Sequence, residues 1–104
     1  MPRKLVVTLE ARRGLEDARL RFTQPGTGPA ARAKLRNLRV AAERILASPC
    51  TYRRSPDHAE CRYVICEGYL FLYEVSRDTG SNATAGDVTL LAVYPPGFGR
   101  RVRP

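Results

Sequence analysis

Residues 61–75 constrain the fold of this 104-residue chain more than any other segment. They contain two apolar runs, Cys61–Cys66 and Tyr69–Val75, and the two-residue connection Glu67-Gly68 between them predicts a tight β-hairpin. Along the second run, aromatic residues and a valine point one way while two leucines point the other way. A strand that is apolar on both faces is typical of the centre of a sheet. The chain is therefore expected to build its core around this hairpin.

The remaining segments predict a strand, two helices and a further strand. Residues 4–8 are short and β-branched, which is typical of a strand. Apolar residues then recur at steps of three and four over residues 9–22 and again over 29–47, which predicts two amphipathic helices. The break between them is short, and this favours an antiparallel helical hairpin. Residues 50–60 are expected to form a loop and residues 88–94 the last strand.

The predicted element order is β-α-α-β-β-β, which defines an α+β fold. It consists of an N-terminal strand, an αα-hairpin and a three-stranded antiparallel meander packed on the helices, with the first strand at an edge or beside the last one. The length allows one domain, residues 1–104, of which residues 96–104 are expected to be a basic C-terminal tail. The apolar runs are too short for a transmembrane helix or a signal-peptide core, so a cytoplasmic protein is expected.

The charge of the chain predicts a polyanionic partner. The net charge is +8, from 18 Lys and Arg against 10 Asp and Glu, and Arg suits planar contacts with phosphate or carboxylate. Composition alone is equally consistent with a solvated surface. The three cysteines, Cys50, Cys61 and Cys66, have neither the spacing of a zinc site nor the even number of a disulfide framework. No metal and no cofactor are expected, and the cysteines are expected to be reduced.

A resemblance to a known family is carried by residues 61–75, CRYVICEGYLFLYEV. Members of the RelE/ParE superfamily of type II toxins often show a basic strand residue, a turn and then a Y-x-x-x-Y-x-V strand. Arg62 matches the basic position, and Tyr69, Tyr73 and Val75 match the strand. Over residues 5–94 the chain also resembles these toxins in element order, length and charge. The resemblance implies plasmid stabilisation by a growth-inhibiting toxin that a cognate acidic, partly disordered antitoxin wraps and neutralises.

The resemblance implies one of two targets for the free toxin. ParE-like members inhibit DNA gyrase and are not nucleases, whereas RelE-like members are endoribonucleases that cleave mRNA in the ribosome. In the RelE-like case the catalytic candidates are Arg62 for the phosphate charge, Tyr94 at the end of the last strand and His58 for proton transfer. RelE-like nucleases usually carry basic residues directly after the last strand. The rigid Pro95-Pro96-Gly97 bend stands there instead, and this favours the ParE-like mode.

The expected binding face combines basic residues at the start of the meander with those of the tail. Its members are Arg53, Arg54, Arg100, Arg101 and Arg103. An alternative from another class is a non-toxic nucleic-acid-binding module in which Arg32, Arg36 and Arg39 follow the phosphates of the backbone. No helix-turn-helix, zinc-finger or RNA-recognition signature accompanies these arginines. Neither hypothesis requires a membrane or a small-molecule cofactor.

Overall fold

A computed structural model describes residues 3–97 and places one five-stranded sheet against two helices. The elements are β1 (Leu5–Val7), α1 (Leu9–Phe22), α2 (Gly28–Ala47), β2 (Arg53–Arg54), β3 (Cys61–Cys66), β4 (Tyr69–Val75) and β5 (Val88–Tyr94). The α+β fold, the helical hairpin and the antiparallel meander β3–β4–β5 are confirmed. The tail arginines, Arg100, Arg101 and Arg103, lie outside the described residues.

The strand order of the sheet is β1-β5-β4-β3-β2, so β4 is central. β1 pairs in parallel with β5 at one edge, and the other neighbours pair in the antiparallel direction.

The prediction of a loop over residues 50–60 is wrong at one point. Arg53 and Arg54 form β2, where they lie opposite Tyr63 and Arg62 of β3. Two residues are too few to show a period of two, so only the pairing with β3 reveals this strand.

The start of α1 and its contact with the sheet follow from local chemistry. The Thr8 hydroxyl accepts a hydrogen bond from the Ala11 amide at 3.1 Å, which caps the helix. Farther along, Gly14 lies so close to β5 that a Cβ atom there would lie 2.1 Å from the carbonyl oxygen of Val93. The glycine therefore weakens the helix in isolation but allows α1 to pack directly on the sheet.

The two-residue turn between β3 and β4 sets the register of the hairpin. Glu67 and Gly68 have φ angles of 52° and 81°, the left-handed region that a type I′ turn requires at both positions. Cys66 then lies opposite Tyr69, and Arg62 lies opposite Tyr73. Because side chains of paired residues share a face, Arg62 points to the same side of the sheet as the buried tyrosines of β4.

The two faces of the sheet differ in what covers them. On one side, the helix face, Tyr69, Phe71 and Tyr73 are fully buried in one cluster with apolar residues of α1 and α2. The other side, the open face, carries the leucines of β4, and its Ile65 is 60% exposed. Both helices in the described range pack on the helix face. No helix within residues 3–97 is long and apolar enough to cross a membrane.

Candidate functional site

Arg62 is held inside the protein by a set of specific hydrogen bonds. Its Nε donates to Oδ2 of Asp78 at 2.8 Å, and its Nη2 donates to Oδ1 of the same carboxylate at 3.0 Å. Its Nη1 donates to the carbonyl oxygen of Tyr52 at 2.6 Å. The residue is only 8% exposed. A guanidinium paired bidentately in this way is occupied by a carboxylate, so this geometry gives Arg62 a structural role and does not support the phosphate contact expected from the sequence.

Asp78 is the partner that the sequence did not single out. The Arg62 hydrogen bonds lower the pKa of this carboxyl to about 2, and the Gly80 amide adds a further hydrogen bond at 3.1 Å. The Nη2 atom of Arg54 lies 3.3 Å from Oδ1 of Asp78. Together these contacts fasten the β4–β5 loop to the edge of the sheet beside β2. Asp78 lies sixteen residues from Arg62 in the sequence, and no spacing rule links the two positions.

The three catalytic candidates do not converge on one point. Arg62 lies on the helix face, whereas Tyr94 lies opposite Leu70 and so belongs to the open face. His58 is exposed, and its carbonyl accepts from the Cys61 amide at the start of β3. Tyr94 belongs to the other end of the strands, about three residues or roughly 10 Å farther along the sheet at about 3.3 Å per residue. These positions offer no shared site for a base, a phosphate cation and an acid.

The two arginines of β2 also separate, because consecutive residues of a strand point to opposite faces. Arg54 lies opposite Arg62 and pairs with Asp78, whereas Arg53 lies opposite Tyr63. Arg53 lines a shallow cavity of about 370 Å³ at the edge of the open face. Its guanidinium makes no ion pair with the acidic side chains of residues 3–97. Among the residues of the expected binding face that the structure describes, Arg53 alone remains available to a partner.

The strongest concentration of available charge lies on α2. This helix carries five basic residues against the single acid Glu43, a net charge of +4, half of the +8 of the chain. The five, here called the α2 basic surface, are Arg32, Lys34, Arg36, Arg39 and Arg44. All are exposed, and within the described range none forms an ion pair. Arg32, Arg36 and Arg39 follow one another at steps of four and three, so they lie along one ridge.

A groove runs between α1 and α2 beside this surface. Three leucines line it, Leu15 of α1 and Leu35 and Leu38 of α2, and its volume is about 370 Å³. Arg12 and Arg39 stand at its rim, as does an ion pair between Arg19 and Glu16. The recurrence of apolar residues at steps of three and four predicted both helices, but which of the arginines border a groove follows only from how the helices pack.

The cysteines and other potential metal ligands do not form a centre in residues 3–97. Cys50, Cys61 and Cys66 are free thiols, and no group of three His, Cys, Asp or Glu side chains in this range could hold a metal ion. Burial raises the pKa of the Cys61 and Cys66 thiols, as expected for reduced cysteines in partly apolar surroundings.

Neither a protein-family model nor a curated protein matches this chain.

Proposed function

We propose that this protein is the toxin of a type II toxin–antitoxin module of the RelE/ParE kind, and that it arrests growth when free of an acidic antitoxin. We further propose that it acts by binding its target, DNA gyrase in the ParE-like manner, and not by cleaving mRNA. The toxin class rests on the resemblance in residues 61–75 and on an element order that agrees with that resemblance.

The binding mode is supported by the contrast between the catalytic candidates and the α2 basic surface. The catalytic candidates lie on different faces and at different ends of the sheet. The α2 basic surface, in contrast, gathers five exposed cations that find no acidic partner among residues 3–97. Like charges at steps of three and four cost a helix about 0.2–0.5 kcal/mol per pair. A surface of this kind suits a partner that brings negative charge.

Induced expression in a bacterial host tests the toxin class. We expect growth to stop after induction and to resume when an acidic protein from the neighbouring reading frame is co-expressed. Normal growth in the presence of free, folded protein would contradict the toxin class and leave a non-toxic nucleic-acid-binding module as the better hypothesis. That module predicts oligonucleotide binding with a steep dependence on salt concentration.

Two parallel assays separate the binding mode from the nuclease mode. We expect purified protein to inhibit DNA supercoiling by gyrase and to leave ribosome-bound mRNA uncleaved. The variants Tyr94→Phe and His58→Gln test the same point in cells, because a binding protein should retain growth arrest in both. The RelE-like mode would be established instead if the wild type cleaves ribosome-bound mRNA and either variant loses this cleavage while it keeps its far-UV circular dichroism spectrum.

A further inference from the structure

Two exposed leucines lie on the outward side of α1, and the proposed function uses neither of them. Leu9 is 63% exposed and Leu20 is 54% exposed. Each lies two residues from a fully buried alanine, Ala11 or Ala18, which is about 200° around a helix with roughly 3.6 residues per turn. Both leucines therefore point away from the core. They are three turns or roughly 16 Å apart along the helix, on one line.

Two opposite charges lie between the leucines on the same line. Steps of four, three and four residues keep side chains on one face of a helix. The members of this line, here called the α1 outer stripe, are Leu9, Arg13, Glu16 and Leu20. The side chains of Arg13 and Glu16 are 69% and 53% exposed, and each forms an ion pair with a neighbour on α1. The stripe is thus apolar at both ends and charged in the middle.

The α1 outer stripe is complementary to itself when it is read in the opposite direction. Leu9 and Leu20 are equally far from its midpoint and form an apolar pair. Arg13 and Glu16 are also equally far from the midpoint and carry opposite charges. A two-fold axis through the midpoint, perpendicular to the helix, would bring each residue against its counterpart in a second copy. In a parallel arrangement each residue would meet itself instead, and like charges would face each other.

We propose that two copies of this chain associate through the α1 outer stripe, with their α1 helices antiparallel and related by a two-fold axis. Leu9 of each copy packs on Leu20 of the other copy. Arg13 of each copy reaches Glu16 of the other, and the ion pairs already present on α1 extend into one row of alternating charge. The apolar contacts supply most of the affinity, because exposed ion pairs add little. The charges set the direction and register of the two helices.

The distribution of charge identifies the occupant as a second copy. The chain carries a net charge of +8, so two copies repel each other on average. Four arginines against three acidic residues leave α1 with a net charge of +1, compared with +4 on α2. A nucleic acid on the stripe would meet the Glu16 carboxylate, and an acidic partner would meet it too. A partner with both signs in reversed order matches the stripe, and a second copy has that order.

Sedimentation velocity of the full chain, at one fixed salt concentration, measures the association. Three turns of helix form a small interface, so we expect a reversible dimer with a dissociation constant of about 1–500 µM. Either of two charge reversals, Arg13→Glu or Glu16→Arg, places like charges opposite each other in both halves of the interface. We expect each variant to dimerise at least about tenfold more weakly than the wild type. Leu20→Gln, which removes both apolar contacts, should weaken the dimer at least as much.

An equimolar mixture of the two charge-reversal variants tests the pairing directly. One variant has an acidic centre of the stripe and the other a basic centre, so the antiparallel contacts become complementary again. We expect a heterodimer at least as tight as the wild-type dimer, and this recovery also shows that both variants fold. The matched control Arg36→Glu makes the same charge change on α2, outside the stripe, and should alter dimerisation less than about twofold.

A wild-type chain that stays monomeric at millimolar concentration would overturn the proposal. It would also be overturned if Arg13→Glu associates as well as Arg36→Glu, or if the mixture of the two charge-reversal variants remains monomeric. The inference does not rest on the proposed function, and the two fail separately. Dimerisation without growth arrest refutes only the toxin class, and growth arrest by a chain that does not dimerise refutes only the dimer.

Discussion

Replacing Asp78 by Asn tests the interpretation that Arg62 is a structural residue. The substitution keeps the shape of the side chain but removes the negative charge that holds the guanidinium. Arg62 and Asp78 have side-chain exposures of 9% and 12%, so water does little to screen the pair. The remaining partners of Arg62 within the described range are the carbonyl oxygens of Tyr52 and Cys50, at 2.6 and 3.4 Å. These are dipoles, and they do not compensate a full buried charge.

Two independent values bound the loss in the free energy of unfolding that Asp78→Asn should cause. The Arg62 hydrogen bonds lower the pKa of Asp78 from 3.8 to about 2, and this difference corresponds to roughly 2 kcal/mol of preferential stabilisation of the ionised carboxylate. Breaking a buried ion pair by removing one partner costs about 3–5 kcal/mol. We therefore expect Asp78→Asn to lower the free energy of unfolding by about 2–4 kcal/mol. A domain of this length has about 5–15 kcal/mol in total, so the variant should still fold.

Urea denaturation followed by far-UV circular dichroism measures the loss. The matched control is Asp57→Asn, an exposed carboxylate in the β2–β3 loop that forms no ion pair within residues 3–97, and it should change the free energy by less than about 0.5 kcal/mol. In an Arg62→Met background, Asp78→Asn should cost at least about 2 kcal/mol less than in the wild type, because the buried charge is already gone. A loss below about 0.5 kcal/mol, or the same loss in both backgrounds, would refute the structural role of the pair.

Three further predictions concern the pH dependence and the core. The pKa of Asp78 is about 2 in the folded protein and 3.8 ordinarily. The free energy of unfolding that the Arg62–Asp78 pair contributes is therefore complete above about pH 4 and declines between pH 4 and pH 2. Acid titrations should show this decline in the wild type and a shallower one in Asp78→Asn. Gly14→Ala should destabilise by more than about 2 kcal/mol, because the new methyl group would meet the Val93 carbonyl; a gain near 1 kcal/mol, the intrinsic preference of a helix for Ala, would show that α1 is not pressed on β5. Tyr73→Phe should cost about 1–2 kcal/mol in urea, since the buried hydroxyl donates to the Pro49 carbonyl, and an unchanged midpoint would contradict that hydrogen bond.

Much of the fold could be predicted because its elements are long and strongly periodic. Both helices and the three strands of the meander have apolar residues at unambiguous steps, and Glu67-Gly68 allows few conformations other than a tight turn. The strand β2 could not be predicted, because two arginines carry no periodicity. The place of β1, at an edge and beside the last strand, agrees with the expectation from the sequence. Its parallel direction joins segments more than eighty residues apart, and only the folded sheet shows it.

The candidate site likewise has features that the sequence predicts and features that only the folded structure shows. The sequence determined that the chain is basic, that arginines border the apolar stripes of the helices and that Arg62 belongs to a strand of the hairpin. Only the tertiary structure decided which arginines are available. Asp78 reaches Arg62 from a distant loop and Glu16 neutralises Arg19, whereas Arg12 and Arg39 both line the groove between α1 and α2. The physical reason is that charge is a property of a residue, but its compensation depends on neighbours that only folding brings within hydrogen-bonding distance.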